Sequence, residues 1–269
     1  MFANAQGYER FMGRWSRLMA PLLVDFAGIA DGWHVLDAGS GTGSLATTIA
    51  TMRPRCRVQG IELSPDYVAY AQASVPDAAV RFHAGNVQAL PFAAGEFDAC
   101  VSLLVFNFIP DPGKALTELL RVTRPGGRIC AATWDYGDGM QMLRLFWDAA
   151  RELDSNAERL DEKHMPLCRS GELSALWNAT GLVNVEERPL EIPMRFSSFD
   201  DFWEPFLGGQ GPAGAYVARL EPNSRSQLRD RLKQLLPLPR QGGELEKPAP
   251  DAAFELRGRA WAVRGTAPS

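Results

Sequence analysis

Between Trp33 and Trp134 the chain alternates short apolar runs with longer stretches of helical character, and few folds accept that alternation. WHVLDA, CRVQGIEL, AVRFHAG, FDACVSLLVF and GGRICAATW are compact runs rich in Val, Ile, Leu, Phe and Cys. GSLATTIATM, SPDYVAYAQAS and DPGKALTELLRVT stand between them. Repeated βαβ units read this way, and they build a parallel sheet covered by helices on both faces. Ser64 before Pro65 and Asp111 before Pro112 mark helix starts, each a capping residue followed by proline. Pro125-Gly126-Gly127 is expected to close a helix and turn the chain into a fifth strand.

The remainder is less regular. QMLRLFWDAARELD and GELSALWNATG read as helices, the second closed by Gly181, and LVNVEERPLEIPMRF as a strand. SSFDDFWEPFLGG and SRSQLRDRLKQLL read as helical, separated by a GGQGPAG loop. PLPRQGGELEKPAPD then leads to FELRGRAWAVRG, expected as the last strand. This divides the chain into an N-terminal helical segment (1–30), an α/β core (31–196), a helical insertion (197–250), and a final strand and tail (251–269).

The formal net charge of -4, with no long Lys/Arg block, argues against nucleic acid as a partner. A hydrophobic fraction of 46% beside 22% charged residues fits a globular chain with a substantial core. No apolar run is long enough to span a bilayer, and MFANAQGYERFMGRWSRLMAPLL lacks the features of a signal peptide. Cys56, Cys100, Cys130 and Cys168 form no CxxC pair, so buried reduced thiols are expected rather than metal ligands. A cytoplasmic location follows as an expectation.

The first strand ends in Asp37-Ala-Gly39-Ser-Gly41-Thr-Gly43. A glycine-rich turn from strand to helix suits a dinucleotide, a nucleoside triphosphate or S-adenosylmethionine. No lysine follows Gly43, which excludes the phosphate-binding loop of NTPases. The dinucleotide pattern separates its last two glycines by two residues, whereas here the glycines alternate and Ala46 holds the later position. Asp37 would repel a pyrophosphate but attract the ammonium of a methionine moiety. Glu62, ending the second strand, is placed to accept from ribose hydroxyls, as in NAD enzymes also.

VLDAGSGTG, GIELSP, GNVQALPFAAGEFDACVSLLVFNFIPDP and LLRVTRPGGRICAATW together resemble the ordered motifs of class I S-adenosylmethionine-dependent methyltransferases. Within that family they resemble the bacterial small-molecule branch that contains the ubiquinone and menaquinone biosynthesis enzymes. The resemblance covers about residues 33–134. It implies a Rossmann-like α/β fold with a seven-stranded sheet, the last strand antiparallel and helices on both faces. YERFMGRWSRLMAP resembles an N-terminal segment of related bacterial members.

The resemblance also implies roles. Gly39, Gly41 and Gly43 would admit the cofactor, Asp37 would face its amino group, and Glu62 would bind both ribose hydroxyls. Leu63 would pack on one adenine face, with Asn86 and Val87 beside the ring; the family usually has Asp where Asn86 stands. Leu104 would close on the methionine end. Tyr8, Arg14 and Trp15 are candidates for a helical lid, with Arg14 or Tyr8 meeting the cofactor carboxylate.

Methyl transfer from a sulfonium is an in-line displacement in which positioning and water exclusion supply much of the rate. A neutral hydroxyl acceptor normally needs a base. Asn107 and Asp135, beyond strands four and five, are the catalytic candidates, since open α/β sheets place the ligand crevice there. His34, His83 and His164 are expected to be structural or exposed. Most of Trp134, Phe146, Trp147, Phe199, Phe202, Trp203 and Phe206 are expected in the core, with the 197–250 insertion covering the substrate and FLGGQGPAG as a mobile loop. The sequence thus points to a metal-independent methyltransferase acting on a small organic molecule, with O-methylation preferred. The alternatives are a non-catalytic S-adenosylmethionine-binding protein and an NAD-dependent oxidoreductase.

Overall fold

In the computed structural model, which describes residues 5–75, 79–236 and 252–269, seven strands share one sheet. They are β1 (His34–Ala38), β2 (Arg57–Glu62), β3 (Val80–Ala84), β4 (Phe97–Leu103), β5 (Thr123–Trp134), β6 (Val183–Phe196) and β7 (Phe254–Thr266). Their order is β3-β2-β1-β4-β5-β7-β6. Strands β1 to β5 pair in parallel, and β7 runs antiparallel to both β5 and β6. The strand order reverses between β1 and β4, and the crevice beyond the carboxyl ends at such a reversal is where α/β sheets bind ligands.

The helices are α1 (Ala5–Tyr8), α2 (Arg14–Ala27), α3 (Ser44–Met52), α4 (Pro65–Ser74), α5 (Pro112–Val122), α6 (Gln141–Leu153) and α7 (Glu172–Ala179). After β6 come α8 (Phe199–Trp203), α9 (Gly211–Arg219) and α10 (Pro222–Leu235). Successive strand residues face opposite sides, so each strand feeds two cores. Val35 joins the side packed by Met19 and Phe26 of α2 and Ile49 of α3. Leu36 joins the side packed by Leu116 of α5 and Trp177 of α7. Cys100 and Cys130 fall on opposite faces, both fully buried, and burial pushes the Cys100 thiol up to about 12. All four cysteines are free and buried.

Three local expectations are corrected. Helix α5 ends at Val122, because Thr123 already pairs with Phe97 of β4; Pro125-Gly126-Gly127 lies inside β5, where the register to β4 shifts. The Ser64 side chain does not cap α4; instead its backbone N–H donates to Glu62 Oε1 at 2.9 Å. Asp111 does cap, accepting from the Lys114 N–H at 2.9 Å. The GGQGPAG segment is not an open loop. Gly211 begins α9, Gln210 is buried, and a Cβ on Gly214 would lie 2.8 Å from the Gly209 carbonyl carbon. Gly214 thus permits close backbone packing on Gly209.

At the N-terminus α1 and α2 are joined by a π-helical turn, Glu9–Gly13. Among the described residues, no helix is long and apolar enough to cross a membrane, and no group of three or more His, Cys, Asp or Glu could hold a metal.

Candidate functional site

A cavity of about 270 Å³ opens at the carboxyl ends of β1, β2, β4 and β5. On the β1–β2 side its wall is the glycine loop. Gly39 and Ser40 donate their N–H groups to the Ile61 carbonyl at 2.8 and 3.0 Å, tying the loop to β2. Gly39 has φ +76° and its missing Cβ would stand 2.6 Å from Val105 Cγ1, so glycine is required by conformation and by space. Gly41 has φ +53° but open space where a Cβ would be. At that position the backbone itself is left bare to the cavity.

Two carboxylates frame the loop. Glu62 accepts from the Gly41 N–H at 3.1 Å through Oε2 and from Ser64 through Oε1, which fixes it between loop and helix while leaving a lone pair on each oxygen. Asp37 is buried; Oδ2 accepts from the Ala46 N–H at 3.0 Å, and Oδ1 has no partner. Burial, reinforced by nearby Glu62, raises the Asp37 carboxyl to about 7 against the opposing Ala46 bond. An unpartnered buried carboxylate oxygen is costly unless a cation or donor meets it. Ser40 Oγ is likewise buried without a partner. These orphaned acceptors suit a ligand carrying an ammonium and hydroxyls.

The N-terminal helices cover the opening with Tyr8, Met12 and Ser16. Tyr8 Oη and Ser16 Oγ are 2.9 Å apart, and the Tyr8 ring lies 5.9 Å from that of Tyr67. From the π-helical turn Glu9 reaches Thr42 of the glycine loop, whose Oγ1 donates to it at 2.5 Å, and it also pairs with Arg17. On the β4–β5 side the wall is apolar: Leu103, Leu104, Val105, Phe108 and Trp134, with Tyr136. Leu104 holds φ +63°, a left-handed conformation rare for leucine, with its N–H donating to the Ala132 carbonyl at 2.7 Å. Strained backbone of this kind clusters at ligand sites.

The sequence candidates therefore divide. Tyr8, Asp37, Gly39, Gly41, Glu62 and Leu104 line one cavity, while Gly43 faces the adjoining groove with Thr47 and Thr51. Leu63 is 71% exposed beside Glu62. Asn86 Oδ1 accepts from the Gln88 N–H at 2.9 Å, and Val87 packs half-buried on the Leu36 side of the sheet.

Arg14 is not at the cavity. Its guanidinium donates to Asp201 at 2.7 Å and covers the Trp15 and Phe196 rings at 4.1 and 4.8 Å. Both catalytic candidates also lie off the lining. Asn107 is buried with Nδ2 3.5 Å from Met165 Sδ, and Asp135 is ion-paired with Arg259 at 2.6 Å while capping Asp138 at 3.1 Å. His34 bonds to Gln59 and Glu96, His83 packs on Phe92, and His164 is exposed beside Glu158. None of the described residues of the insertion lines the cavity, and 237–251 lie outside the described residues. Its aromatics are core instead: Phe206 stacks on Phe146 at 4.7 Å.

Sequence reasoning missed Glu9, Ser16, Tyr67 and Tyr136. Tyr136 had a signal, since it lies two residues beyond the end of β5, and Tyr67 a weaker one in the first turn of the helix after β2.

Residues 36–131 match the model of a methyltransferase domain family. An uncharacterised protein of Mycobacterium tuberculosis is 36% identical over 213 residues, covering 77% of this chain and 74% of that protein. The 2-methyl-6-phytyl-1,4-hydroquinone methyltransferase of Synechocystis is 32% identical over 67% of this chain and 56% of its own length. Among solved structures, a Haemonchus contortus phosphoethanolamine N-methyltransferase in complex with S-adenosyl-L-methionine shares the fold. Its TM-score is 0.59 at 18% identity, over 98% of this chain and 57% of that one. The chain belongs to the class I S-adenosylmethionine-dependent methyltransferases. Its relatives include quinone-biosynthesis methyltransferases, of which the chain spans about half the length.

Proposed function

We propose that the chain transfers a methyl group from S-adenosylmethionine to an oxygen of a small organic acceptor. The observation that carries the cofactor assignment is the unpartnered Asp37 Oδ1, buried beside a glycine loop that Glu62 braces. Asp37 would hold the amino group and Glu62 the ribose hydroxyls, while Ser40 and the bare backbone at Gly41 accommodate the chain between them. Bound there, the cofactor supplies an electrophilic methyl group on a sulfonium. Leu104, held left-handed, and Trp134 would then exclude water from the methionine end and leave the acceptor in line with that methyl. Tyr8, Met12 and Ser16 would act as the lid, latched to the glycine loop through Glu9 and Thr42.

Oxygen is preferred as the receiving atom because the lining offers tyrosine and serine hydroxyls to hold an acceptor hydroxyl. For an acidic hydroxyl such as a phenol, whose proton passes to solvent as the oxygen attacks the methyl, positioning supplies much of the rate, with effective molarities up to roughly 10⁵–10⁸ M in favourable cases. Four reduced, buried cysteines suit action in the cytoplasm. The test is release of S-adenosylhomocysteine with a panel of phenols, amines and thiols; phenols should turn over fastest, and turnover confined to amines would overturn the oxygen assignment. One observation favours a second reading, a cofactor-binding protein without transfer. Among the described lining residues the only carboxylates, Asp37 and Glu62, are committed to the cofactor side. Tight S-adenosylhomocysteine binding without turnover of any acceptor would support it.

A further inference from the structure

The two halves of the cavity differ in chemistry. The cofactor half carries both acids and the loop amides. The acceptor half, beyond β4 and β5, carries Leu103, Val105, Phe108 and Trp134, and no Lys, Arg or His is among the described lining residues. An anionic acceptor would find no protein counter-charge there, and the S-adenosylhomocysteine complex, which lacks the sulfonium, would leave it unpaired at a large desolvation cost. Two polar side-chain groups belong to this wall, the Trp134 indole N–H and the Tyr136 hydroxyl, and of the two only the hydroxyl can both donate and accept. Tyr136 is 6% exposed and lines the cavity; its hydroxyl bonds to no other described residue and is not among the fully enclosed unpartnered atoms, so it keeps access to the open cavity. The Tyr8 hydroxyl, by contrast, is already engaged with Ser16. A buried tyrosine hydroxyl ordinarily finds a partner.

The backbone around Tyr136 is held unusually firmly. Asp135 N–H donates to the Arg259 carbonyl at 2.9 Å, and Arg259 N–H to the Gly139 carbonyl at 3.0 Å. The Asp135 carbonyl accepts from Gly139 and Met140 at 3.1 and 2.9 Å, closing the turn. The Asp135–Arg259 ion pair then clamps that turn to β7, and Gly139 permits the approach, since a Cβ there would stand 2.7 Å from Arg259 Cβ. A clamped turn presenting one unsatisfied hydroxyl into an apolar wall is the arrangement of a recognition contact.

We propose that Tyr136 positions the methyl acceptor by a hydrogen bond from its hydroxyl, and that the acceptor is an uncharged, mainly apolar molecule bearing a hydroxyl. This rests on the methyltransferase reading. Burial keeps the Tyr136 phenol protonated, so it donates and accepts a hydrogen bond without acting as a base. Asp135 is thereby a positioning residue that acts through Tyr136.

The test is calorimetry on the full chain saturated with S-adenosylhomocysteine, using 1-naphthol, naphthalene and 1-naphthoate as probes. The wild type should bind naphthol about five- to tenfold more tightly than naphthalene, the worth of one hydrogen bond, and naphthoate least. Tyr136→Phe should bind naphthol and naphthalene alike while keeping its affinity for S-adenosylhomocysteine. A naphthol preference that survives Tyr136→Phe, or a wild type lacking any preference, overturns the role of Tyr136. Naphthoate binding as tightly as naphthol overturns the uncharged acceptor, and that arm needs no variant. Failure of the wild type to bind S-adenosylhomocysteine would instead sink the cofactor reading beneath both.

Discussion

The Asp135 carboxylate binds the Arg259 guanidinium through Oδ2, 2.8 Å from Nε and 2.6 Å from Nη2, across 124 residues of chain. A residue whose place after strand five suggested chemistry is thus a structural anchor. Asp135→Asn should cost about 2 kcal/mol, below the roughly 3–5 of a fully buried pair because water reaches Arg259. For a chain of this size that lowers the melting temperature by roughly 4–8 °C. Affinity for S-adenosylhomocysteine should stay within about twofold. Turnover lost with an unshifted melting temperature would return Asp135 to the chemistry.

Gly39→Ala tests the glycine loop. The new methyl would meet Val105 and the φ of +76° would be strained, together costing about 2 kcal/mol or more. Cofactor affinity should fall at least tenfold, because relief of the clash moves the loop. Titration with S-adenosylhomocysteine and a urea melt read the two effects separately. Gly41→Ala, with open space at its Cβ, should lose affinity with a smaller loss of stability.

The buried acids set a pH dependence. Burial raises both Asp37 and Glu162 to about 7, so the fold favours their protonated forms. Between about pH 4 and 7 the folded state binds more protons than the unfolded one. Stability of the ligand-free protein should therefore fall as pH rises through that window, by up to about 1.4 kcal/mol per pH unit for each group, and level off above it. Asp37→Asn should flatten the slope in proportion. Binding of the cofactor ammonium has the opposite trend, weakening below pH 7 as Asp37 takes up its proton. Melts and titrations across pH 5 to 8 check both signs.

Glu9 is the latch between the N-terminal helices and the glycine loop. Glu9→Ala should speed S-adenosylhomocysteine release several-fold in stopped-flow measurements without unfolding α2. A point variant is the cleaner test, since removing the first twenty residues would strip Trp15 and Met19 from the core. An unchanged release rate would remove the lid from the account.

The sheet and the cofactor half of the site were legible because their signals are local. Strand residues alternate faces within five to seven positions, and Asp37, Gly39, Gly41 and Glu62 each sit at a strand end or the turn after it. What failed was set by partners far along the chain. Arg14 was expected at the cofactor carboxylate, but Asp201, 187 residues away, holds it. The glycines of GGQGPAG read as flexibility, although Gly214 is small so that α9 can pack on Gly209. Nothing local ranks Tyr136 above its neighbour Asp135, and only the fold shows which of the two lines the cavity.

The role of Asp37 in holding the cofactor is tested most directly by calorimetric titration of S-adenosylhomocysteine into the wild type and Asp37→Asn at pH 8. Saturable one-to-one binding to the wild type, at least tenfold weaker binding to the variant, and a ligand-free variant no less stable than the wild type are expected. Equal affinity in the two proteins, or preferential binding of NAD, would contradict that role.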